Sequence, residues 1–300
     1  MIFEYLPTNL TQDIDNLCEV CRILPISKVL IPSNPVAKPY PESLVIAETL
    51  RSAIWQKKAL RHINFIPTIK TSIHTMESLQ SAFLSLQYLN IPNVAIISGD
   101  TSKKDTLTTY HALEILKNMQ RKSYFLQKLN IFCALEATIS ARNSYGFCKK
   151  LQYGVRNFIT QPFYIVNQDK HNLQEIPSIP YNVPYFLSNK KIQSFVEFLH
   201  FYKHVAQLYS HNIALFPLKN NVQIYCGFLP LFQTAQAHTL NSKKLGIIIP
   251  NSYINDINSN SLRINISLFN SLKKYKLSIS YLQFKDFEIF LNSLKYSHTI

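Results

Sequence analysis

Acidic residues follow several of the short apolar runs in this 300-residue sequence, although the chain holds only 17 Asp and Glu residues. Glu4 ends the first run, Asp100 follows Ile96–Gly99, and Glu136 follows Ile131–Leu135. A carboxylate among apolar groups is costly unless it is paired or protonated, so an acid in such a place is a candidate for proton transfer. The alternative is that polar residues simply begin where a strand ends. For any single acid, the sequence leaves both interpretations open.

Glycines give a second signal, because the chain contains only five. Gly99, Gly154 and Gly227 adjoin predicted strands, as expected where a positive φ or the close approach of a ligand excludes a Cβ. Ordinary turns are the alternative.

The apolar runs have strand length and alternate with stretches of helical periodicity, which is typical of βαβ units. We predict eight strands, at Ile2–Tyr5, Lys28–Ile31, Phe65–Ile69, Val94–Ile97, Ile131–Leu135, Asn157–Thr160, Val222–Cys226 and Leu277–Leu282. We predict helices near residues 11–23, 42–56, 75–88, 107–119, 145–153 and 192–209. Eight alternations favour a closed (β/α)8 TIM barrel in the α/β class, and they place reactive groups at the carboxyl ends of the strands.

We expect residues 1–300 to form a single barrel domain, because neither a linker nor a sequence repeat interrupts the alternation. A proline-rich excursion at about 165–191 suits neither a helix nor a central strand, and a lid is one interpretation of it.

The net charge of +14 comes from 31 Lys and Arg against 17 acids, and charged residues make up only 16% of the chain. The imbalance therefore reflects a shortage of acids and is weak evidence for nucleic acid. Five cysteines, an odd number, argue against a disulfide framework, and no apolar run is long enough to span a membrane. We predict a cytoplasmic protein with no nucleic-acid partner and no membrane span.

Four segments at these strand ends resemble, in order, the motifs of the methylenetetrahydrofolate reductase family. They are Ile2–Pro7 (IFEYLP), Ile96–Asp100 (IISGD), Gly154–Tyr164 (GVRNFITQPFY) and Ile224–Pro230 (IYCGFLP). Each motif is short, but together they run through most of the chain. The resemblance implies a flavin-bearing barrel that reduces 5,10-methylenetetrahydrofolate to 5-methyltetrahydrofolate with NAD(P)H, a step of one-carbon metabolism that leads to methionine biosynthesis.

The resemblance also implies roles for individual residues. Glu4 resembles the general acid that protonates the pterin nitrogen, and Asp100 the acid near flavin and pterin, which makes them the catalytic candidates. The substrate-binding candidates are Gln161, Phe163 and Phe232. The FAD-binding candidates are Gly99, Asp100, Lys149, Lys150 and Thr160. For the Lys149–Lys150 pair, a solvated helix face is the alternative.

Several positions depart from the family pattern, and most lie on the cofactor side. Pro32–Pro39 replaces a glycine-rich loop after the second strand, and Thr68–Thr71 lacks the usual histidine after the third. A second function therefore stays open: a noncatalytic or repurposed relative that has lost flavin and acts as a pterin-binding or partner protein. The expected ligands are a folate substrate and a nicotinamide nucleotide, and the sequence leaves the oligomeric state open, a homo-oligomer included.

Two further patterns have structural interpretations. Cys18 and Cys21 fall on the apolar stripe of a predicted helix without a second pair at zinc-site spacing, so we interpret them as core residues. His200 and His204 lie one helical turn apart but lack an intervening acid, so we predict a solvated helix face and no metal site.

Overall fold

Buried residues, many of them β-branched or aromatic, form the strands of the protein. The structure is a computed structural model, and it describes residues 1–35, 39–55, 57, 60–99, 106–136, 141–164, 195–212, 222–242, 247 and 249–297. The strands are β1 (Ile2–Glu4), β2 (Lys28–Ile31), β3 (Asn64–Lys70), β4 (Asn93–Ile97), β5 (Asn130–Leu135), β6 (Asn157–Pro162), β7 (Gln223–Phe228) and β8 (Leu277–Ile279). They form a closed barrel in sequence order, and the paired strands are parallel. The predicted TIM barrel is confirmed.

Helices follow the strands in the predicted alternation. They are α1 (Leu10–Ile23), α2 (Ser43–Ile54), α3 (Met76–Tyr88), α4 (Thr109–Gln120), α5 (Tyr124–Gln127), α6 (Ala141–Gln152), α7 (Phe195–Asn212), α8 (Thr234–Ser242), α9 (Asn251–Leu272) and α10 (Phe284–Ser297). Between β7 and β8 the sequence predicts one further helical stretch without bounds, where the structure has α8 and α9. The helix α10, the single-turn helix α5 and a 3-10 turn at Thr71–Ile73 are not in the sequence prediction, since α10 follows the last predicted strand and one turn is too short for a periodicity to show. β8 ends at Ile279, three residues before the predicted end. The proline-rich excursion at 165–191 lies outside the described residues.

Polar caps set the beginnings of several helices. The Thr75 hydroxyl accepts a hydrogen bond from the Ser78 amide, and the Ser78 hydroxyl accepts one from the Thr75 amide. Thr108 and His111 form the same reciprocal pair at the start of α4. These capping boxes satisfy amides that have no partner within the helix, so each helix begins at a defined distance from the preceding strand.

The side-chain alternation of β1 determines what faces the inside of the barrel. Phe3 stacks on Phe287 of α10, with the ring centroids 5.3 Å apart, so Phe3 faces the helices and Ile2 and Glu4 face inward. Paired residues of parallel strands share a face, and Glu4 pairs with Leu30, which in turn pairs with Ile66. Two-residue steps along β3 from Ile66 then place Thr68 and Lys70 on the same inner face.

Backbone contacts divide the chain into two compact units, Met1–Ala134 with Ser278–Ile300, and Leu135–Leu277. We call them unit 1 and unit 2 and describe each by itself. The expectation of a single domain stays a prediction. Among the described helices, none combines the length and the apolar character that a bilayer crossing requires.

Candidate functional site

Glu4 is the last residue of β1 and the acid in unit 1 whose environment is most unusual. Burial raises the pKa of its carboxyl from 4.5 to about 7. No hydrogen bond or ion pair to this carboxyl occurs within the described residues, so nothing there offsets the loss of water around the charged form. A carboxyl with this pKa exists in both protonation states near neutral pH, which is the requirement for a general acid.

An aromatic cluster on the outer side of β1 and β8 positions Glu4. Tyr281 stacks on Phe3 and on Phe287, with centroid separations of 5.6 Å in both pairs. The Tyr281 hydroxyl accepts a hydrogen bond from the Leu6 amide at 3.0 Å and also lies 3.4 Å from the Leu6 carbonyl oxygen. The cluster therefore fixes both the face of β1 that turns inward and the course of the chain directly after Glu4.

Asp13 of α1 is a buried acid of unit 1, and its surroundings differ from those of Glu4, which is partly buried. It is 3% exposed and accepts hydrogen bonds from the Tyr5 hydroxyl at 2.8 Å and from the Thr8 amide at 3.0 Å. These donors stabilise its charged form, and they tie α1 to the chain that leaves β1. We therefore interpret Asp13 as a structural acid.

The loop after β2, where the glycine-rich sequence of the family is missing, is tied to the loop after β1. Asn34 has a positive φ of 44°, and its side-chain oxygen accepts a hydrogen bond from the Tyr40 amide at 2.9 Å. The Tyr40 hydroxyl in turn donates to the carbonyl oxygen of Pro7. The intervening residues 36–38 lie outside the described part of the chain.

The carboxyl end of β3 presents polar groups on its inner face that the sequence analysis did not select. Thr68 is 3% exposed and Lys70 is 4% exposed. The hydroxyl oxygens of Thr68 and of Ser72, in the following 3-10 turn, are buried and have no hydrogen-bond partner within the described residues. The signal in the sequence is a lysine that comes directly after the mainly apolar run Phe65–Ile69.

Gly99, a predicted FAD-binding residue, has a φ of 91°, and its missing side chain leaves space for Lys70 and Ser72. A Cβ at Gly99 would lie 2.4 Å from Cε of Lys70 and 2.6 Å from Oγ of Ser72. The space beside Gly99 is thus filled by the protein's own side chains. Asp100, the second catalytic candidate and a predicted cofactor-binding residue, lies outside the described residues.

In unit 2, the ends of β6 and β7 are joined by hydrogen bonds. The Thr160 hydroxyl donates to the Gln161 carbonyl oxygen at 2.8 Å and accepts from the Gly227 amide at 2.9 Å. A Cβ at Gly227 would lie 2.5 Å from the carbonyl oxygen of Thr160, so only glycine fits where these strands approach. The pairing register also shifts between Ile159 and Pro162. The hydroxyl of Thr160, a predicted FAD-binding group, is therefore used to join two strands.

The three predicted substrate-binding residues all lie in unit 2. Gln161 sits in this irregular part of β6, and its side-chain oxygen is buried. The Phe163 amide donates to the Gly227 carbonyl oxygen at 3.1 Å, and its ring packs edge-on against Phe198 of α7 at 5.2 Å. Phe232 is partly exposed ahead of α8, and its amide donates to the Gln236 side chain at 2.9 Å.

Lys149 and Lys150, predicted to bind the cofactor, lie in the last turn of α6 and are partly exposed. Cations at this position interact favourably with the carbonyl groups at the end of a helix, so the helix alone accounts for their placement. Glu136, the third acid of the sequence analysis, follows β5 and is exposed. Over the described residues, no group of three His, Cys, Asp or Glu side chains is placed to hold a metal ion.

Comparison with known proteins leaves the family unassigned: no family model and no curated protein matches the chain. The apo-form of a Toxoplasma gondii ME49 protein assigned as a deoxyribose-phosphate aldolase is similar at 8% identity, with a TM-score of 0.46 over 98% of this chain and 92% of that one. The 7,8-dihydropteroate synthase of Vibrio fischeri ES114 is similar at 11% identity, with a TM-score of 0.42 over 100% and 92%. Such low values carry no argument about function, and the barrel rests on the strand order itself.

Proposed function

We propose that this barrel protein acts on a folate-type one-carbon substrate and that Glu4 donates the proton in its reduction. The observation that carries the proposal is the partly buried Glu4 carboxyl at the carboxyl end of β1, with a pKa raised to about 7 by desolvation. Carboxyl ends of barrel strands are where enzymes with this fold place reacting groups. The particular substrate, 5,10-methylenetetrahydrofolate, comes from the resemblance of the four motifs.

In the proposed reaction, Glu4 acts when the methylene bridge opens. The bond between the bridging carbon and the N10 nitrogen breaks, N10 takes the proton of the Glu4 carboxyl, and a hydride that comes from NAD(P)H adds to the carbon, which stays on the pterin nitrogen N5. The product is 5-methyltetrahydrofolate, and Glu4 is left as a carboxylate that regains a proton from water. A carboxyl with a pKa near 7 suits both steps at neutral pH, because it is neither too weak to donate nor too strong to be reprotonated.

FAD and NAD(P)H stay predictions of the resemblance, and we derive no step through a flavin. Two positions that the resemblance assigns to FAD make contacts within the protein: Lys70 and Ser72 lie beside Gly99, and the Thr160 hydroxyl joins β6 to β7. This observation favours a second candidate function, a relative that binds a pterin or a partner protein without flavin.

One experiment separates the two functions and tests the role of Glu4. The purified protein is assayed for NAD(P)H-dependent reduction of 5,10-methylenetetrahydrofolate, with and without added FAD, and its visible absorption is recorded for bound flavin. The proposal expects turnover that falls at least about 100-fold in Glu4→Gln, the usual contribution of a general acid, with folate binding retained. Glu136→Gln, which changes an exposed acid, is the control.

Two results would reject the proposed reaction. A colourless protein that takes up no FAD and shows no turnover, yet binds the folate, would establish the second candidate function. Turnover that is equal in the wild type and in Glu4→Gln would remove Glu4 from the chemistry.

A further inference from the structure

Exposed aromatic side chains lie near the ends of helices in unit 1, on the side of the barrel where the strands begin. Trp55 follows α2 and is 64% exposed, Tyr88 ends α3 and is 89% exposed, and Tyr124 begins α5 and is 70% exposed. These residues precede β3, β4 and β5 in the chain, so they lie at the opposite end of the strands from Glu4. A single exposed aromatic residue is ordinary, so what matters is whether the three are grouped.

Arg51 joins the first of these aromatic residues to the second. Its guanidinium donates hydrogen bonds to the carbonyl oxygens of Leu89 at 2.7 Å and of Asn90 at 3.3 Å, directly after Tyr88. Arg51 lies one helical turn before Trp55, so the two side chains leave α2 on the same side. The end of α2 that leads to Trp55 is thereby tied to the end of α3.

A second hydrogen bond joins Tyr88 to Tyr124. The Ser123 hydroxyl donates to the side-chain oxygen of Gln87 at 2.8 Å. Gln87 directly precedes Tyr88, and Ser123 directly precedes Tyr124. The three exposed rings therefore lie along one continuous surface of unit 1.

Two of these rings have a cation over them. The Arg61 guanidinium lies 5.6 Å from the centre of the Trp55 ring, and its Nε donates to the Trp55 carbonyl oxygen at 2.8 Å. The Lys128 ammonium lies 4.0 Å from the centre of the Tyr124 ring. Such cation–π contacts hold the positive charges beside the rings. We call Trp55, Arg61, Tyr88, Tyr124 and Lys128 the aromatic-basic strip.

The chain around the strip is basic. The three segments 49–63, 84–93 and 115–130 contain eight Lys and Arg residues and no Asp or Glu. Arg121 and Lys122, close to Tyr124, are exposed, and Glu48, which precedes the first segment, forms an ion pair with Arg51. Bases near the end of a helix are favourable for the helix itself, but this effect does not account for exposed rings beside them.

Exposed rings interleaved with cations fit a single-stranded nucleic acid better than other anionic partners. Its phosphates match the cations, and its unpaired bases stack on aromatic rings. An acidic peptide would match the charges but not the rings. An anionic bilayer would require a larger apolar area, because Tyr88 and Tyr124 carry polar hydroxyls.

We propose that the aromatic-basic strip binds a single-stranded nucleic acid, with bases stacked on Trp55, Tyr88 and Tyr124 and phosphates paired with the cations beside them. The sequence predicts no nucleic-acid partner, but that prediction rests on the net charge and not on where the charges lie. The strip is independent of the Glu4 reaction, so either proposal can fail without the other.

The test is a fluorescence anisotropy titration of the full chain into a labelled single-stranded RNA of about 12 nucleotides, a length within the range of known single-strand sites. We expect saturable binding that weakens as sodium chloride is added, because phosphate contacts release counterions. Unlabelled duplex of the same sequence should compete poorly, since its bases are already stacked. Polyglutamate and vesicles of pure phosphatidylserine serve as the other anionic competitors.

Variants then locate the binding. Trp55→Ala, Tyr88→Ala and Tyr124→Ala should each weaken the Kd about tenfold, in line with the loss of one stacked base, and leave the salt dependence unchanged. Lys128→Ala should lower the slope of log Kd against log salt by about 0.7, the value for one phosphate contact.

Two variants of exposed residues elsewhere in unit 1 are the matched controls. Met76→Ala removes a side chain that is 46% exposed at the start of α3, at the opposite end of the helix from Tyr88. Lys285→Ala removes an exposed lysine near the start of α10. Both should bind the RNA as the wild type does, and the thermal unfolding midpoint of every variant checks that it folds.

Three results would overturn the proposal. The first is the absence of saturable RNA binding at low salt. The second is binding that the ring variants weaken no more than Met76→Ala and Lys285→Ala do. The third is competition by polyglutamate or by the vesicles as effective as that of unlabelled RNA at equal charge, which would assign the surface to an acidic protein or to a lipid surface.

Discussion

The ends of β1 and β3 in unit 1 and the ends of β6 and β7 in unit 2 contain different kinds of polar group. In unit 1, the ends of β1 and β3 present ionisable side chains, Glu4 and Lys70, on an inner face lined by Leu30, Ile66 and Ile97. In unit 2, the polar groups that join β6 and β7 are neutral, namely the Thr160 hydroxyl and the backbone of Gly227. The polar groups compared are thus ionisable at the two strand ends of unit 1, whereas those between β6 and β7 are neutral and hold these two strands together.

Asp13, which is buried, and Glu4, which is partly buried, show why burial alone does not identify a reactive group. Asp13 accepts hydrogen bonds from the Tyr5 hydroxyl and the Thr8 amide, and these stabilise its carboxylate. Glu4 is partly buried without such donors among the described residues, and its pKa rises to about 7. The distinction between them lies in their partners, so it becomes visible only when the chain is folded.

The largest effect on stability is expected from a Cβ added at Gly227, where β6 and β7 approach each other closely. Gly227→Ala introduces a Cβ that would lie 2.5 Å from one backbone oxygen and 2.7 Å from a carbonyl carbon, neither of which can move without breaking the strand pairing. We expect a loss of about 3 kcal/mol in the free energy of unfolding, measured with urea.

Gly154→Ala is the control, because its Cβ would meet nothing within 4 Å and only its φ of 89° is unfavourable. It should cost about 1 kcal/mol. Equal losses in both variants would show that the two strands are not tightly joined.

The next effect concerns Glu4 and depends on pH. Because the folded pKa is raised, the folded state holds the proton more tightly than the unfolded state, so the contribution of Glu4 to stability is present below pH 4.5 and is lost as the pH rises to about 7. Glu4→Gln is neutral at every pH, so it should match the wild type near pH 4.5 and exceed it by up to about 3 kcal/mol at pH 8. Urea unfolding at both pH values measures the difference. Glu136→Gln should show no such difference, and a pH-independent effect of Glu4→Gln would argue against a desolvated carboxyl that titrates near pH 7.

A smaller effect is expected at Thr160, whose hydroxyl joins β6 to β7. Thr160→Val keeps the shape of the side chain but leaves the Gly227 amide without its acceptor, so it should cost about 2 kcal/mol of unfolding free energy. Thr160→Ser keeps the hydroxyl and should cost much less. If the valine and serine variants are equally stable, the hydroxyl is not structural, and the predicted role of Thr160 in cofactor binding gains weight.

The smallest effect is expected at Tyr281, whose hydroxyl contacts the Leu6 backbone after β1. Tyr281→Phe removes the acceptor of the Leu6 amide and should lower the unfolding free energy by about 1 kcal/mol. Tyr124→Phe, at a tyrosine that is 70% exposed, should leave stability unchanged. A Tyr281 variant as stable as the Tyr124 variant would mean that this contact does not hold the chain beyond Glu4.

The barrel could be predicted from the sequence because its signal is distributed over the whole chain. Each strand is a short apolar run and each long helix has a clear period, so an error at one end, as at β8, does not alter the count. The prediction of Glu4 as a candidate acid rested on its position at a strand end, and the structure adds the raised pKa. Lys70 was passed over because a lysine after an apolar run is common, and its burial depends on Gly99, which is 29 residues away in the chain.

The protonation of Glu4 tests the account most directly. A carbon-13 NMR titration of side-chain carboxyl groups, with the Glu4 signal assigned by its absence in Glu4→Gln, would measure the pKa in the intact protein. The account predicts a titration midpoint near 7. A midpoint near the ordinary 4.5 would contradict it, because Glu4 would then be a carboxylate at neutral pH and could not serve as the proton donor.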